Sequence, residues 1–168
     1  MEILIQKAQP QDAEAISRLY ARSWREAYVH IIPAEDLNQL SDSHWAVTFR
    51  TQFAAGETMG LLAYCGDRLA GAAVLSPSRD ERKPDAGEIM SFYIDPAFHR
   101  RGVGTHLMKE ALDQLRVQGY PEAFLWVVTG NERAMAFYRH CGFVPDGDVL
   151  HAEFAGKTYL DHRYCTAL

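Results

Sequence analysis

The sequence has few cysteines, and none is spaced as a redox or metal-binding pair. Its three cysteines, Cys65, Cys141 and Cys165, lie far apart, and no CxxC occurs. An odd number without such a pair makes neither a disulfide framework nor a zinc site, so a reducing cytoplasm is expected. The seven histidines show no ligand spacing on a shared face either, and no metal site is predicted.

Long apolar runs and an excess of basic residues are also missing. No apolar stretch approaches the roughly 20 residues that cross a bilayer, and residues 1–7 do not have the pattern of a signal peptide. The formal net charge of −5 argues against nucleic acid as an electrostatic partner. We therefore expect a cytoplasmic protein without membrane or nucleic-acid partners, whose acidic surface mildly favours a cationic small molecule.

What the chain does contain is a series of short strands and amphipathic helices. Apolar runs predict strands near 3–7, 58–65, 68–76, 88–94, 123–128, 149–154 and 157–164, and helical spacing predicts helices near 10–28, 34–40, 43–54, 103–118 and 131–141. The 168 residues suit one domain, and no linker, repeat or low-complexity segment divides them. We expect a single α/β domain over residues 1–168, with about seven strands and helices on both faces of the sheet.

The most informative stretch runs from Glu88 to Thr105, where a strand, a proline turn and a basic glycine loop lead into a helix. The first N–H groups of a helix have no helical partners, and the helix dipole favours negative charge beside them. Gly102 and Gly104 would let a ligand approach the backbone closely. The pattern predicts a phosphate-binding site.

Three phosphate ligands compete for this loop. A Walker A loop requires GxxxxGK[ST], and both its lysine and its spacing are missing. A dinucleotide fingerprint requires GxGxxG early in the chain, whereas here Leu107 replaces the third glycine and the loop comes late. The third ligand is acetyl-CoA, which a family resemblance favours.

Two motifs carry that resemblance. Ile94-Asp-Pro96 followed by His99-Arg-Arg-Gly-Val-Gly104 resembles the [Q/R]xxGx[G/A] loop of the GNAT superfamily of acetyl-CoA-dependent N-acetyltransferases, and residues 131–143 are similar to its NxxAxxFYxxxGF segment. They occur in the family's order, separated by one helix and one strand. His99 departs from the usual Gln or Arg, which matters little if it contributes its backbone N–H. The resemblance implies the GNAT fold, a mixed and mostly antiparallel sheet whose fourth and fifth strands splay apart.

The resemblance also implies where acetyl-CoA binds. Loop amides would hold the pyrophosphate, and the two loop arginines would add positive charge unless they are a solvated surface pair. The pantetheine arm would lie along the fourth strand, where the Phe92 N–H would polarise the thioester carbonyl. Asn131 would bond the pantetheine or serve only as an N-cap. The predicted cofactor-binding residues are Phe92, Tyr93, Ile94, His99, Arg100, Arg101, Gly102, Val103, Gly104, Thr105, Asn131 and Phe137.

Two residues are predicted to move protons. By its place in the second motif, Tyr138 would act as general acid toward the CoA thiolate, although such a residue can also be core packing. Glu88 begins the fourth strand, where several family members hold a general base, although it could be a surface residue at a strand end. Strand alternation places Glu88 on the face of Phe92 and Ile94 unless a bulge intervenes.

The acceptor is predicted to lie against Ser23–Tyr28, which in this fold borders the cleft opposite the cofactor. This segment resembles bacterial polyamine-acetyltransferase-like members, so Trp24, Glu26 and Tyr28 are the predicted substrate-binding residues. Their rings would cover a hydrocarbon chain or stack on a cation, and nearby carboxylates would pair with an ammonium. Trp24 also continues the apolar stripe of its helix, which is typical of a core residue.

We therefore expect direct transfer of acetyl to a small-molecule primary amine, such as a polyamine, in a ternary complex. A protein, peptide or aminoglycoside acceptor stays open, as does a CoA-binding regulatory module without turnover. Many family members are homodimers and the last hairpin offers an edge strand, but the sequence does not set the oligomeric state.

Overall fold

Seven strands form one sheet in the computed structural model, which describes residues 2–168. The strands are β1 (Ile3–Lys7), β2 (Met59–Cys65), β3 (Arg68–Pro77), β4 (Gly87–Ile94), β5 (Glu122–Val128), β6 (Val144–Phe154) and β7 (Lys157–Ala167). Their order is β1-β2-β3-β4-β5-β7-β6, and each neighbouring pair is antiparallel except β4 and β5. The predicted mixed, mostly antiparallel sheet is confirmed, although β6 begins at Val144 and is five residues longer than expected.

Helices cover both faces of the sheet, as predicted. They are α1 (Ala13–Ala27), α2 (Ala34–Asn38), α3 (Ala46–Ala55), α4 (Val103–Val117) and α5 (Glu132–His140), with single 3-10 turns at Pro10–Asp12 and Pro96–Phe98. Helices α4 and α5 pack on one face, and α1 and α3 on the other. None of the helices between residues 2 and 168 is long and apolar enough to cross a membrane.

The two cores follow from the alternation of β2 and β3 between the faces. Ile16, Leu19 and Tyr20 share one side of α1, and all are at most 1% exposed against Leu62 of β2. On the opposite face, Leu107 and its neighbours on α4 pack against Leu61 and other residues of β2 and β3. Burying one such large apolar side chain stabilises the fold by about 2 kcal/mol.

A β-bulge and a splayed strand pair shape the centre of the sheet. Val74 of β3 pairs with Ser91 and Leu75 pairs with Ile89, so Met90 is the extra residue of a bulge on β4. The bulge interrupts the alternation expected along β4, because Ile89 and Phe92 now pack in the same core. Strands β4 and β5 pair at only two positions and then separate, which opens a cleft between them.

Candidate active site

A cleft of about 450 Å³ lies where β4 and β5 separate. Its walls come from the end of α1, β4, the loop before α4, β5 and α5. Most predicted site residues line it: Glu26, Tyr28, Phe92, Tyr93, Ile94, His99, Arg100, Gly102, Gly104, Thr105, Asn131, Phe137 and Tyr138. The predicted residues outside its lining are Trp24, Glu88, Arg101 and Val103.

Strand β4 offers its main chain to this cleft. Its pairing with β5 ends at Glu88, so one edge of Ile89–Ile94 has no strand beside it. The buried ring of Phe92 stacks on that of Phe137, with centroids 5.6 Å apart, and this contact joins β4 to α5. An extended ligand can therefore pair with the β4 main chain as an additional strand would.

The loop before α4 presents backbone N–H groups to the same cleft. Arg100 and Gly102 adopt left-handed conformations, with φ of 58° and 81°, and for the arginine this costs about 1 kcal/mol. The first hydrogen bond of α4 runs from the His106 N–H to the Gly102 carbonyl, at 3.1 Å. The three preceding N–H groups, of residues 103–105, thus have no helical partner and are available to an anion, which the helix dipole favours at this end.

Two side chains hold this loop in place. His99 Nε2 donates to the Ile94 carbonyl at 3.0 Å, so the side chain that departs from the family's Gln or Arg anchors the loop to β4. Asp95 accepts hydrogen bonds from the Ala97 N–H at 2.9 Å and from Arg22 of α1 at 2.7 Å. Although burial opposes it, these bonds lower the pKa of the Asp95 carboxyl. The loop is therefore fixed to both walls of the cleft.

Gly104 brings the start of α4 against α5. A Cβ atom there would lie 3.2 Å from the Phe137 ring, closer than ordinary van der Waals contact. We expect Gly104→Val to weaken CoA binding about tenfold, because the branched side chain must displace Phe137 and the adjacent amides. Isothermal titration calorimetry measures this change.

Truncating the opposing ring provides the control for this experiment. Phe137→Leu, combined with Gly104→Val, should recover part of the lost CoA affinity if crowding is the cause. An unchanged dissociation constant in Gly104→Val would show that the start of α4 does not contact the cofactor.

Tyr138 projects from α5 into the cleft from a buried aromatic cluster. Its ring makes edge contacts with Phe92 and Phe143, at centroid distances of 6.5 and 6.1 Å. Burial, and to a lesser degree Tyr93, raises the pKa of the Tyr138 phenol. Tyr138 therefore keeps its proton at neutral pH and is suited to donate a hydrogen bond or a proton.

Asn131 caps the helix that carries Tyr138. Its side-chain oxygen accepts from the Ala134 N–H at 3.4 Å, so the N-cap role foreseen as an alternative is present. The same residue lines the cleft. Asn131 can therefore cap α5 and contact a ligand at the same time, because its side-chain NH2 group can still donate hydrogen bonds.

Glu88 is buried and bonded to Arg79. Its side chain accepts from the Arg79 backbone N–H at 3.0 Å and Nε at 3.1 Å, and from Nη2 at 2.6 Å. Only 1% of the residue is exposed, and it does not line the cleft. Its role as a general base stays a prediction, and it would require Arg79 to release the carboxylate.

The acceptor side of the cleft is aromatic. The Tyr28 and Tyr93 hydroxyls lie 2.9 Å apart, and Trp24 contacts Tyr28 and Phe154 at centroid distances of 4.9 and 5.1 Å. Glu26 forms a bidentate ion pair with Arg133 at 2.5 and 2.8 Å, and hydrogen bonding from that arginine lowers the pKa of Glu26. The predicted substrate carboxylate is therefore already paired with a cation.

Several lining residues lay outside the sequence predictions. Ser91, bonded to Tyr20 at 2.7 Å, lies beside the bulge, and Trp126 belongs to the part of β5 that has separated from β4 and pairs with β7. Arg133 lies in the second motif, a few residues before Phe137 and Tyr138. Its positive charge was the one feature of the sequence that could have indicated a role in the site. Within residues 2–168, no group of three or more His, Cys, Asp or Glu side chains is placed to hold a metal ion.

Three features of the cleft together fit a CoA thioester. They are the splayed parallel strand pair, the open edge of β4 and the unpartnered N–H groups at the start of α4. The sequence model of the Acetyltransferase (GNAT) family matches residues 13–143. The chain belongs to this family and is an N-acetyltransferase that uses acetyl-CoA as its acetyl donor.

Individual relatives agree with this assignment. The chain is 25% identical over 139 residues to the uncharacterized N-acetyltransferase YuaI of Bacillus subtilis, covering 82% of this chain and 78% of YuaI. It is 42% identical over 73 residues to the mycothiol acetyltransferase of Beutenbergia cavernae, covering 42% of this chain but only 24% of that longer protein. The crystal structure of the PaiA N-acetyltransferase of Thermoplasma acidophilum with coenzyme A superposes with a TM-score of 0.72 at 21% identity, covering 96% of this chain and 98% of that one.

Proposed function

We propose that the protein transfers acetyl directly from acetyl-CoA to the primary amine of a small molecule, within a ternary complex. The observation that carries the proposal is that one cleft joins the open β4 edge and the α4 start to an aromatic wall formed by Tyr28 and Tyr93, beside the end of α1. Both substrates can therefore meet at the same carbonyl carbon without leaving the protein. Such alignment is a large part of the rate enhancement in two-substrate reactions.

Acetyl-CoA would supply an activated acetyl group as its thioester. The N–H groups of Val103, Gly104 and Thr105 would hold the pyrophosphate, with Arg100 and Arg101 adding positive charge nearby. The main chain of Phe92–Ile94 would pair with the pantetheine arm. In this arrangement the Phe92 N–H would stabilise the charge that develops on the carbonyl oxygen, a contribution of about 3 kcal/mol in comparable sites.

Tyr138 and solvent together account for the protons that the reaction moves. An ammonium acceptor loses two protons on becoming an amide. One leaves to solvent before the nitrogen attacks, and the second replaces the proton that Tyr138 gives to the departing sulfur. Tyr138 can fill this role because its phenol carries its proton at neutral pH and lines the cleft.

The cysteine nearest the cleft favours direct transfer over an acyl-enzyme. Cys141 follows α5 and does not line the cleft, and burial raises the pKa of its thiol. A nucleophilic cysteine needs the opposite, since the thiolate is the reactive form. Its free thiol, and those of Cys65 and Cys165, also support the proposal that the enzyme works in the cytoplasm.

A small acceptor suits the way in which the last hairpin meets the aromatic wall. Phe154 packs on Trp24, and Lys157 forms an ion pair with Asp36 of α2 at 2.6 Å. These contacts join β6 and β7 to the α1–α2 region, whereas an extended peptide needs an open groove there. Residues 1–168 would act as one domain, and a homodimer would use the outermost strand β6, where Val149 is exposed.

Thiol release from acetyl-CoA, measured over a panel of acceptors, tests the proposed function. We expect turnover with aliphatic diamines and polyamines, and weaker or no turnover with aminoglycosides, amino acids and peptides. Faster turnover with a peptide would reverse the preference for a small molecule. Tight CoA binding without turnover on any amine would instead support a regulatory module.

A further inference from the structure

One partly buried carboxylate lacks a partner. Asp36, Asp80, Asp95 and Glu88 are each at least nine-tenths buried, and each accepts a hydrogen bond from Lys or Arg. Asp161 of β7 is also partly buried, but no hydrogen bond or ion pair within residues 2–168 involves its side chain. Desolvating a carboxylate without compensation is costly, so an unpaired one marks a position where a cation can bind.

The sheet register directs Asp161 toward the acceptor side. Asp161 pairs with Val128 on β5, and two residues further along β7, Arg163 pairs with Trp126. Asp161 therefore lies on the same face of the sheet as Trp126, which lines the cleft. Two residues earlier on the same face of β7 lies Tyr159, whose buried hydroxyl has no hydrogen-bond partner in the part of the chain described. Asp161 and Tyr159 therefore both carry, on this face of β7, a polar group that makes no hydrogen bond within the part of the protein described.

The titratable groups that face Asp161 are phenols and one imidazole. The Asp161 charge acts on Tyr28, which follows α1, and on Tyr93 of β4. It adds to the effect of burial, which raises the pKa of Tyr28 and brings that of Tyr93 to about 12. His162 is the neighbour on its own strand and donates to or accepts from Thr129 at 2.8 Å. None of these groups is a permanent cation, and Arg163, the next residue on the same face of β7, is already bonded to Asp80, Asp146 and Asp148.

We propose that Asp161 binds the cationic nitrogen of the acceptor, and that the acceptor is an aliphatic amine whose chain lies along the rings of Tyr28 and Tyr93, which line the cleft. This inference rests on the proposed function and assigns its substrate carboxylate. Two other carboxylates near this wall are unsuited, because Glu26 is paired with Arg133 and Asp36 with Lys157. Aromatic rings around the chain favour a cation over a neutral ligand.

Steady-state kinetics with Asp161→Asn test the assignment. With spermidine and 1,5-diaminopentane as acceptors, we expect the KM for the amine to rise about 10- to 100-fold, the range for losing a charged hydrogen bond. The KM for acetyl-CoA should stay unchanged, and Asp161→Glu should recover part of the amine affinity. Asp67→Asn, on the exposed β2–β3 turn, removes the same charge as a control and should change neither constant.

Thermal stability provides a readout that does not require turnover. Burial raises the pKa of Asp161 to about 6, against an ordinary value of 3.8. The folded protein therefore loses stability as the pH rises from about 4 through 6, when this carboxylate ionises. Asp161→Asn removes that loss, so without ligand its melting temperature should exceed the wild-type value at pH 8 and match it at pH 4.

The two measurements separate the possible failures. An unchanged amine KM in Asp161→Asn, with wild-type turnover intact, would overturn the assignment of Asp161 alone. No turnover of wild type with any amine would overturn the proposed function and this inference with it. A variant that is less stable than wild type at pH 8 would also overturn the inference, because it would show that the carboxylate stabilises the fold.

Discussion

Tyr138→Phe is expected to lower kcat about 100- to 1000-fold while the affinity for acetyl-CoA stays unchanged. The substitution removes one hydroxyl and leaves the ring, so the contacts with Phe92 and Phe143 persist. What is lost is the proton donor for the departing sulfur. Steady-state assays of thiol release give kcat, and isothermal titration calorimetry gives the dissociation constant for CoA.

The control replaces a tyrosine outside the cleft. Tyr64→Phe on β2 removes the same atom from a residue that does not line the cleft and should leave both constants unaltered. Equal losses of kcat and CoA affinity in Tyr138→Phe would assign Tyr138 to cofactor binding. Full activity would assign the proton transfer to water.

Local motifs were sufficient to predict most of the residues that line the side of the cleft where the cofactor is proposed to bind. The glycines and arginines of the loop and the Asn131–Phe143 segment are contiguous in sequence, and their roles depend on backbone geometry at one helix start and one helix face. Helical and strand periodicity likewise predicted most of the elements. The family resemblance, rather than local spacing, allowed for a bulge in β4 as an exception to alternation, and a bulge at Met90 is present.

The acceptor half could not be predicted in the same way, because it is assembled from distant parts of the chain. Asp161 meets Tyr28 and Tyr93 only after β7 has inserted beside β5, and no spacing in the sequence reports that neighbourhood. Glu88 is the opposite case, in which sequence position suggested a role but a contact from another segment bears on it. Its position in β4 suggested a base, but Arg79, from the loop between β3 and β4, occupies both its oxygens.

This loop is the least expected part of the fold. Residues 78–86 contain charges of both signs, which ordinarily indicate exposure to solvent. Instead Asp80 reaches Arg163 of β7 at 2.6 Å, and Lys83 reaches Glu122 of β5 at 2.9 Å. Paired charges therefore hold the loop against the sheet beside the point where β4 and β5 begin to separate.

Arg163→Met is expected to lower the free energy of unfolding by about 3–5 kcal/mol, which corresponds to a fall in melting temperature of about 10 °C. Arg163 is 5% exposed and bonds Asp80 and Asp146 at 2.6 and 2.8 Å, as well as Asp148. A methionine fills similar volume but leaves these carboxylates without their shared cation. Circular dichroism melting curves measure the change, and the exposed Arg116→Met on α4 should scarcely alter the curve.

The pH dependence of this loss identifies its electrostatic origin. Despite the opposing effect of burial, hydrogen bonds from Arg82 and Arg163 lower the pKa of Asp80 to about 2, from an ordinary value of 3.8. A lowered pKa contributes stability that is present above pH 4 and lost as the pH falls toward 2. The difference between wild type and Arg163→Met should therefore be greatest at neutral pH and narrow below pH 4, whereas a difference independent of pH would indicate lost packing against Trp126, whose ring lies 5.7 Å from the guanidinium.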